Sequence, residues 1–312
     1  MILNGEKFTL INRPAASKKN TIMIKPTYEA LPLNQQSSYT LRVFEELEFT
    51  APFHFHPEFE LTAILKGKGN RFVGDHMASF DAGDLLLLGS NLPHCWKSET
   101  NITHEISAHS VVIQFKQDFL GDNFWNKYEM QNLMQLLEKS QLGIQFTGND
   151  TSEVINKMLE LTTIDDPFKR LLTFLDILND LALSKTYKIL NKKALVHAQS
   201  AYENNRLHAV QSYLIDHFKQ KISLNEIAEV ANMSPNAFCK YYKKITQKTF
   251  METVSAYRLN YALQQLLQTE KPITEICFES GFTDVSYFFK TFKSKLNESP
   301  LAYRKKVLKN LE

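Results

Sequence analysis

The chain has 312 residues, 43% of them hydrophobic, with a formal net charge of +2 at pH 7, which suits two domains with packed cores. No apolar run approaches the roughly 20 residues of a membrane span, and Cys95, Cys239 and Cys277 form no close-spaced pair, so neither a disulfide framework nor a thiol zinc knuckle is indicated. Residues 201–312 hold 16 Lys and Arg against 11 Asp and Glu, a net of +5 that leaves −3 for residues 1–200, and a basic C-terminal end suits phosphate-backbone binding.

The first ten residues, MILNGEKFTL, lack a signal peptide's basic segment, long apolar stretch and small-residue cleavage site, so a cytoplasmic location is expected. From about residue 28 to 112, short apolar runs such as YTLRVFEELEF, FELTAILKG, DLLLLG and HSVVIQF alternate with Gly, Pro, Asn and Asp. Five or more short strands at that spacing predict a compact antiparallel barrel or sandwich.

Within this region HFHPEFELTAILKG carries His54, His56, Glu60 and Gly67, and GDLLLLGSNLPHCW carries Gly83 and His94. Strand alternation puts His54 and His56 on one face, and Glu60 shares their parity if the strand continues. The two segments resemble the paired motifs of the cupin fold. The glycine that the resemblance would place six residues before His54 is Glu48, and Gly89, Asn91 and Ser98 replace the second motif's proline, glycine and distal asparagine. Three imidazoles and a carboxylate suit Zn, Fe, Mn or Ni. The same polar groups suit hydrogen bonding to a small effector, or a structural role as strand-end histidines satisfied by backbone. Trp96 stands either to stack on a ring-shaped ligand or to anchor the core, the plainer role.

From about 113 to 200 the pattern turns helical, with EMQNLMQLLEKS, SEVINKMLELTT and DPFKRLLTFLDILNDLALSKTY. Leu171, Leu172, Leu175, Leu178 and Leu181 form an apolar stripe that packs either on the barrel or against a second subunit. A polar linker, partly helical, is expected around 185–206.

Two similar segments follow. SLNEIAEVANMSPNAFCKYYKKITQKTF opens with Ser223 and Glu226 at capping-box spacing, and Ser234-Pro235 predicts an N-cap and first helical residue. ICFESGFTDVSYFFKTFKSKLNESPLAYR repeats the plan, with Gly281 at the turn where the first copy has Asn232. Either residue tolerates the positive φ that lets two helices cross steeply. Ile273, Ile276, Cys277, Phe282, Phe288 and Phe292 are expected in a small core, and Ser286, Phe289 and Lys290 on the exposed side. Leu259, Ala262, Leu263, Leu266 and Leu267 mark one helix between the copies, ended before Pro272. Such a spacer would hold two recognition helices about 34 Å apart, one DNA turn.

The run GFTDVSYFFKTFK closed by SPLAYR resembles the signature of the AraC/XylS family of bacterial transcription regulators, and the resemblance extends back to about Arg206. It implies base-edge contacts at Asn236, Cys239 and Lys240 in the first copy and at Val285, Ser286, Phe289 and Lys290 in the second, with Lys243, Lys244 and Lys293 on phosphates. It also implies RNA polymerase as a partner and a homodimer formed through the helices after the barrel.

The expectation is an α+β chain: a cupin-like effector-sensing barrel over 1–112, a helical dimerisation segment and linker over 113–200, and a double helix-turn-helix over 201–312. It would bind double-stranded DNA in response to a small effector, a sugar or other polar metabolite, without enzymatic activity. The rival is a metal-dependent cupin enzyme, an oxygenase or isomerase, fused to a DNA-binding domain. Against it, no separate acid–base pair can be placed. A third reading is a ligand-independent DNA-binding scaffold with a filled barrel.

Overall fold

Strand alternation sorts the N-terminal half into layers, because residues two apart share a face and the two faces here meet different neighbours. The computed structural model describes residues 27–28, 38–98, 107–148, 150–192 and 201–309, so the opening MILNGEKFTL and residues 193–200 of the expected linker lie outside the described residues. The strands are β1 (Thr27–Tyr28), β2 (Tyr39–Glu46), β3 (His54–Phe55), β4 (Phe59–Lys66), β5 (Gly69–Val73), β6 (His76–Phe80), β7 (Leu85–Leu88), β8 (His94–Ser98) and β9 (Ala108–Phe115). Helix α1 (Asp122–Trp125), α2 (Gln131–Ser140), strand β10 (Ile144–Phe146), α3 (Asp150–Leu161), α4 (Pro167–Leu183) and strand β11 (Tyr187–Ile189) follow.

The strands form two sheets, ordered β1-β3-β8-β5-β6 and β11-β10-β7-β4-β9-β2. No ladder closes them into one barrel among the described residues, a difference from the closed barrel expected. Both faces of β4 are buried, as in an inner layer covered on two sides. One face of the six-stranded sheet, with Leu61, Ala63, Leu85, Leu87, Val111 and Ile113, packs on α2, α3 and α4. Its other face meets the five-stranded sheet through Ile64, Leu86 and Leu88 against Val73, Phe80 and Trp96. The region expected to be only helical adds two short strands to this sheet: β10 pairs with β7 and with β11.

The stripe on α4 is divided. Leu178 and Leu181 are buried against the sheet and its helices, so Leu178 cannot face a second subunit. Leu172 and Phe168 remain exposed, at 50% and 67%. Helix α4 starts where Asp166 accepts a hydrogen bond from the Lys169 amide at 2.7 Å and Pro167 takes the first helical position.

The C-terminal half consists of α5 (Ala201–His217), α6 (Leu224–Val230), α7 (Pro235–Thr246), α8 (Phe250–Gln268), α9 (Ile273–Glu279), α10 (Val285–Leu296) and α11 (Pro300–Lys309). Two cores lie along it. Ile227, Phe238, Tyr242, Phe250, Val254 and Tyr257 belong to the first; Leu259, Ala262, Leu266, Ile276, Phe288 and Phe292 belong to the second. Helix α8 contributes to both, with Leu263 only partly buried and Leu267 exposed.

Candidate nucleic-acid interface and ligand cavity

Each helix-turn-helix is built by local signals. Ser223 and Glu226 form a reciprocal capping box at the start of α6, Ser234 caps α7 with Pro235 at its first position, and Asp284 caps α10. Asn232 takes φ 50° and Gly281 φ 88°. Glycine is required at 281 for a second reason: an added Cβ would lie 2.7 Å from the backbone of Lys219. The second turn is one residue longer: buried Phe282 follows Gly281 as Met233 follows Asn232, but Thr283 then precedes the capping Asp284, where Ser234 caps the first copy directly.

These turns leave one side of each second helix open. Asn236, Cys239, Lys240, Lys243 and Lys244 on α7 are exposed, as are Ser286, Phe289, Lys290 and Lys293 on α10. Val285 departs from the expectation: it is half-buried and packs against the second core. Two arginines, missed in the sequence, lock the readers to the helices before them. Arg258 donates to the carbonyls of Phe218 and Gln220, both at 2.7 Å, and Arg304 donates to those of Leu266 and Lys271, both at 2.9 Å. Each arginine ties the end of the preceding long helix, at Phe218 or Leu266, to the loop that follows it, at Gln220 or Lys271.

In the N-terminal half, His54, His56, Glu60 and His94 converge, though not by alternation along one strand. Strand β3 ends at Phe55 and a bend separates it from β4, so Glu60 comes from the six-stranded sheet while His54 and His94 are cross-strand partners in the other. His56 Nε2 donates to Glu60 Oε2 at 3.0 Å, and His94 Nε2 lies 3.4 Å from Glu60 Oε1. Thr62 donates to Glu60 Oε1 at 2.6 Å and Gln114 to Oε2 at 2.8 Å. Burial raises the Glu60 pKa, but the field of His94 and the hydrogen bonds from His56 and His94 outweigh it, holding the carboxyl well below its usual range.

A cavity of about 320 Å³ opens above this cluster, lined by His54, Glu60, Trp96 and Gln114 among others. His56 and His94 lie behind it, 2% and 1% exposed. Trp96 is part of the core between the sheets and also forms cavity wall. Gln114 went unnoticed in the sequence, although its register pairing with Glu60 follows from setting HSVVIQF beside FELTAILK.

The cluster also fits a metal ion geometrically. One ligand atom from each of His54, His56 and His94 lies within 4.8 Å of the others. The Nδ1 of His54 donates to Pro52 O and that of His94 to Leu92 O, both at 2.8 Å, the kind of outer hydrogen bond that orients a ligating imidazole.

The five-stranded sheet joins the two halves. His94 and Trp96 of β8 face inward to the cluster and cavity, while Cys95 packs into the first helix-turn-helix core and Lys97 lies 3.6 Å from Asp216 of α5. Phe53 and Phe72 extend the same outer face, and the Phe55 ring lies 4.1 Å from that of His208.

A family described as "Helix-turn-helix domain" matches residues 227–306. The chain is 25% identical over 273 residues to the uncharacterized HTH-type transcriptional regulator YdeC of Bacillus subtilis, covering 86% of this chain and 90% of that protein. It is 23% identical over 287 residues to the melibiose operon regulatory protein of Escherichia coli, covering 88% and 91%. A solved structure of apo ToxT K231A from Vibrio cholerae aligns over 86% of this chain and 97% of that one, with 18% identity and a TM-score of 0.35. No described helix is long and apolar enough to cross a membrane. With that domain in place, and with relatives named as transcription regulators along most of its length, the chain is a DNA-binding transcription regulator with a helix-turn-helix pair at its C-terminal end.

Proposed function

We propose that this regulator is effector-responsive: a small molecule in the cavity between the sheets alters how the five-stranded sheet holds the first reader on DNA. The observation that carries this is the alternation along β8, where inward Trp96 lines the cavity with His94 behind it, and outward Cys95 and Lys97 border α5. A strand cannot shift one set of side chains without the other, so an occupant that favours one sheet position favours one placement of the reader. In this reading the regulator works in the cytoplasm without turnover, as a homodimer joined through exposed Phe168 and Leu172 of α4 with Leu159 of α3, and acts on RNA polymerase at adjacent promoters. The test is to fill the cavity. Ser110→Phe should change reporter output several-fold while Val43→Phe, on an exposed site, should not; equal output from both would remove the sensing role.

A second reading is favoured by the two Nδ1 hydrogen bonds: His54, His56 and His94 hold a divalent cation (Zn, Fe, Mn or Ni), with Glu60 beside them. When bound, such a cation would supply a Lewis-acid anchor for an effector oxygen. Elemental analysis of protein purified without chelator should find close to one equivalent, lost in His94→Ala; less than a tenth of an equivalent after reconstitution would dismiss it.

A further inference from the structure

We infer that Asn191 is a positioning residue for DNA binding: it fixes the β5–β6 turn in the shape that engages the first reader, and so keeps the Lys248 charge from DNA. The inference concerns the contact between the two halves of the chain and holds whether or not the cavity takes a ligand.

Strands β5 and β6 are joined through Gly74 and Asp75 alone, with Val73 and His76 paired across the turn. Gly74 takes φ 57°, which a two-residue hairpin loop requires of its first residue and glycine adopts without strain. Such a tip ordinarily stands in solvent. This one is gripped by a side chain 116 positions further along the chain. Asn191, just past β11 and 7% exposed, accepts from the Asp75 amide at 3.0 Å and donates to Val73 O at 3.1 Å. It also donates to Leu142 O at 3.0 Å, in the loop between α2 and β10. Both ends of its carboxamide are thereby spent on backbone, and a Cβ added at Gly74 would lie 2.9 Å from Asn191 Oδ1. One asparagine side chain therefore ties the hairpin tip to the helical part of the N-terminal half.

The tip in turn holds the reader. Gly74 O accepts from the Tyr257 hydroxyl of α8 at 3.4 Å, and the Asp75 carboxylate lies 3.2 Å from Lys248 Nζ, in the loop between α7 and α8. Lys248 follows Lys243 and Lys244 in the last turn of α7, so its charge adds to a basic end that suits phosphate. Without Asn191 the Asp75 amide has lost its acceptor, and an unpaired amide is relieved by turning toward water. Asp75 moves with its amide, and Lys248 is released.

The test measures the full chain on a random-sequence DNA duplex, since a phosphate contact is indifferent to sequence. Asn191→Ala should raise affinity at low salt about twofold to fivefold, a gain that fades as salt screens the lysine. Asp75→Asn removes the same ion pair directly and should give a gain of similar size. The double variant should match the larger single gain, whereas independent effects would multiply. A role confined to stability would lower the melting temperature of Asn191→Ala and leave its DNA affinity untouched. Should that variant fail to fold, Gly74→Ala disturbs the same contact from the turn side and should show the same gain. The inference is overturned if a folded variant at 191 or 74 binds DNA as the wild type does, or if the Asn191 and Asp75 gains multiply.

Discussion

The rings of Phe72 on β5 and Tyr257 on α8 stack with centroids 5.8 Å apart and planes 19° from parallel, tying the five-stranded sheet to the DNA-binding half. Around them the Tyr257 hydroxyl donates to Gly74 O at 3.4 Å, Asn260 donates to Met77 O at 3.3 Å, and Lys248 lies 3.2 Å from Asp75. Lys248 follows α7, on the DNA-binding half, yet its charge is engaged by Asp75 of the N-terminal half.

Asp75→Asn frees that lysine for phosphate. Because the Lys248 side chain is 51% exposed, stability should change by less than about 1 kcal/mol, while DNA affinity at low salt should rise about twofold to fivefold. Phe72→Ala, which empties a buried site, should cost about 3 kcal/mol and make DNA binding indifferent to a cavity ligand. Gel-shift titrations with and without ligand measure both, and a fully retained ligand response in Phe72→Ala would dismiss this contact as the coupling.

On DNA, Lys240→Ala or Lys290→Ala should cost about 1–3 kcal/mol on the preferred site and relax one base position. Lys243, Lys244 or Lys293 changed to Ala should weaken all sequences alike and flatten the salt dependence. Site selection returning the wild-type motif from both recognition-lysine variants would remove them from base reading. Half-buried Val285 can offer only a methyl edge.

For assembly, Phe168→Glu with Leu172→Glu should leave soluble monomer where the wild type sediments as a dimer at tens of micromolar, roughly the range of weak contacts. Leu178→Glu should instead give insoluble protein, since it buries a charge in the core at a cost above about 3 kcal/mol. Wild-type protein that stays monomeric without DNA would move dimer formation onto the operator.

Acid should weaken the fold through His76, whose pKa is pushed down to about 4 by burial and then by the charge of Arg71. The unfolded chain takes up this proton near pH 6.5 and the folded chain does not, so stability present at pH 7 falls between about 6.5 and 4, by on the order of 3 kcal/mol. Glu60 acts below that window, its contribution being lost only as pH falls through its depressed pKa. Urea unfolding at pH 7 and 4.5 should show the loss in wild type and a reduced one in His76→Phe; identical slopes would assign it elsewhere.

The readers were legible because their signals are local: Ser223 with Glu226, Ser234 with Pro235, and Asn232 and Gly281 at positive φ act within a few residues of chain. The histidine cluster was legible as residue types but not as geometry. The bend between β3 and β4 breaks the parity that would have tied His54 to Glu60, and Gln114 reaches Glu60 only by pairing across 54 positions. Strands β10 and β11 have three residues each, too few for alternation to register. The docking of the five-stranded sheet on the first reader was not legible at all, because Phe72, Cys95 and Phe53 look in sequence like any barrel core.

Helix α8 gives its first half to one core and its second half to the other, so the readers are not beads on a string. A reader transplanted from a relative would have to bring half of that helix, together with the arginine that grips the element before it. Swapping one specificity for another is therefore better attempted on the exposed positions of α7 or α10 than by cutting the chain, and the two DNA-binding units should open together in hydrogen exchange, as a single cooperative block.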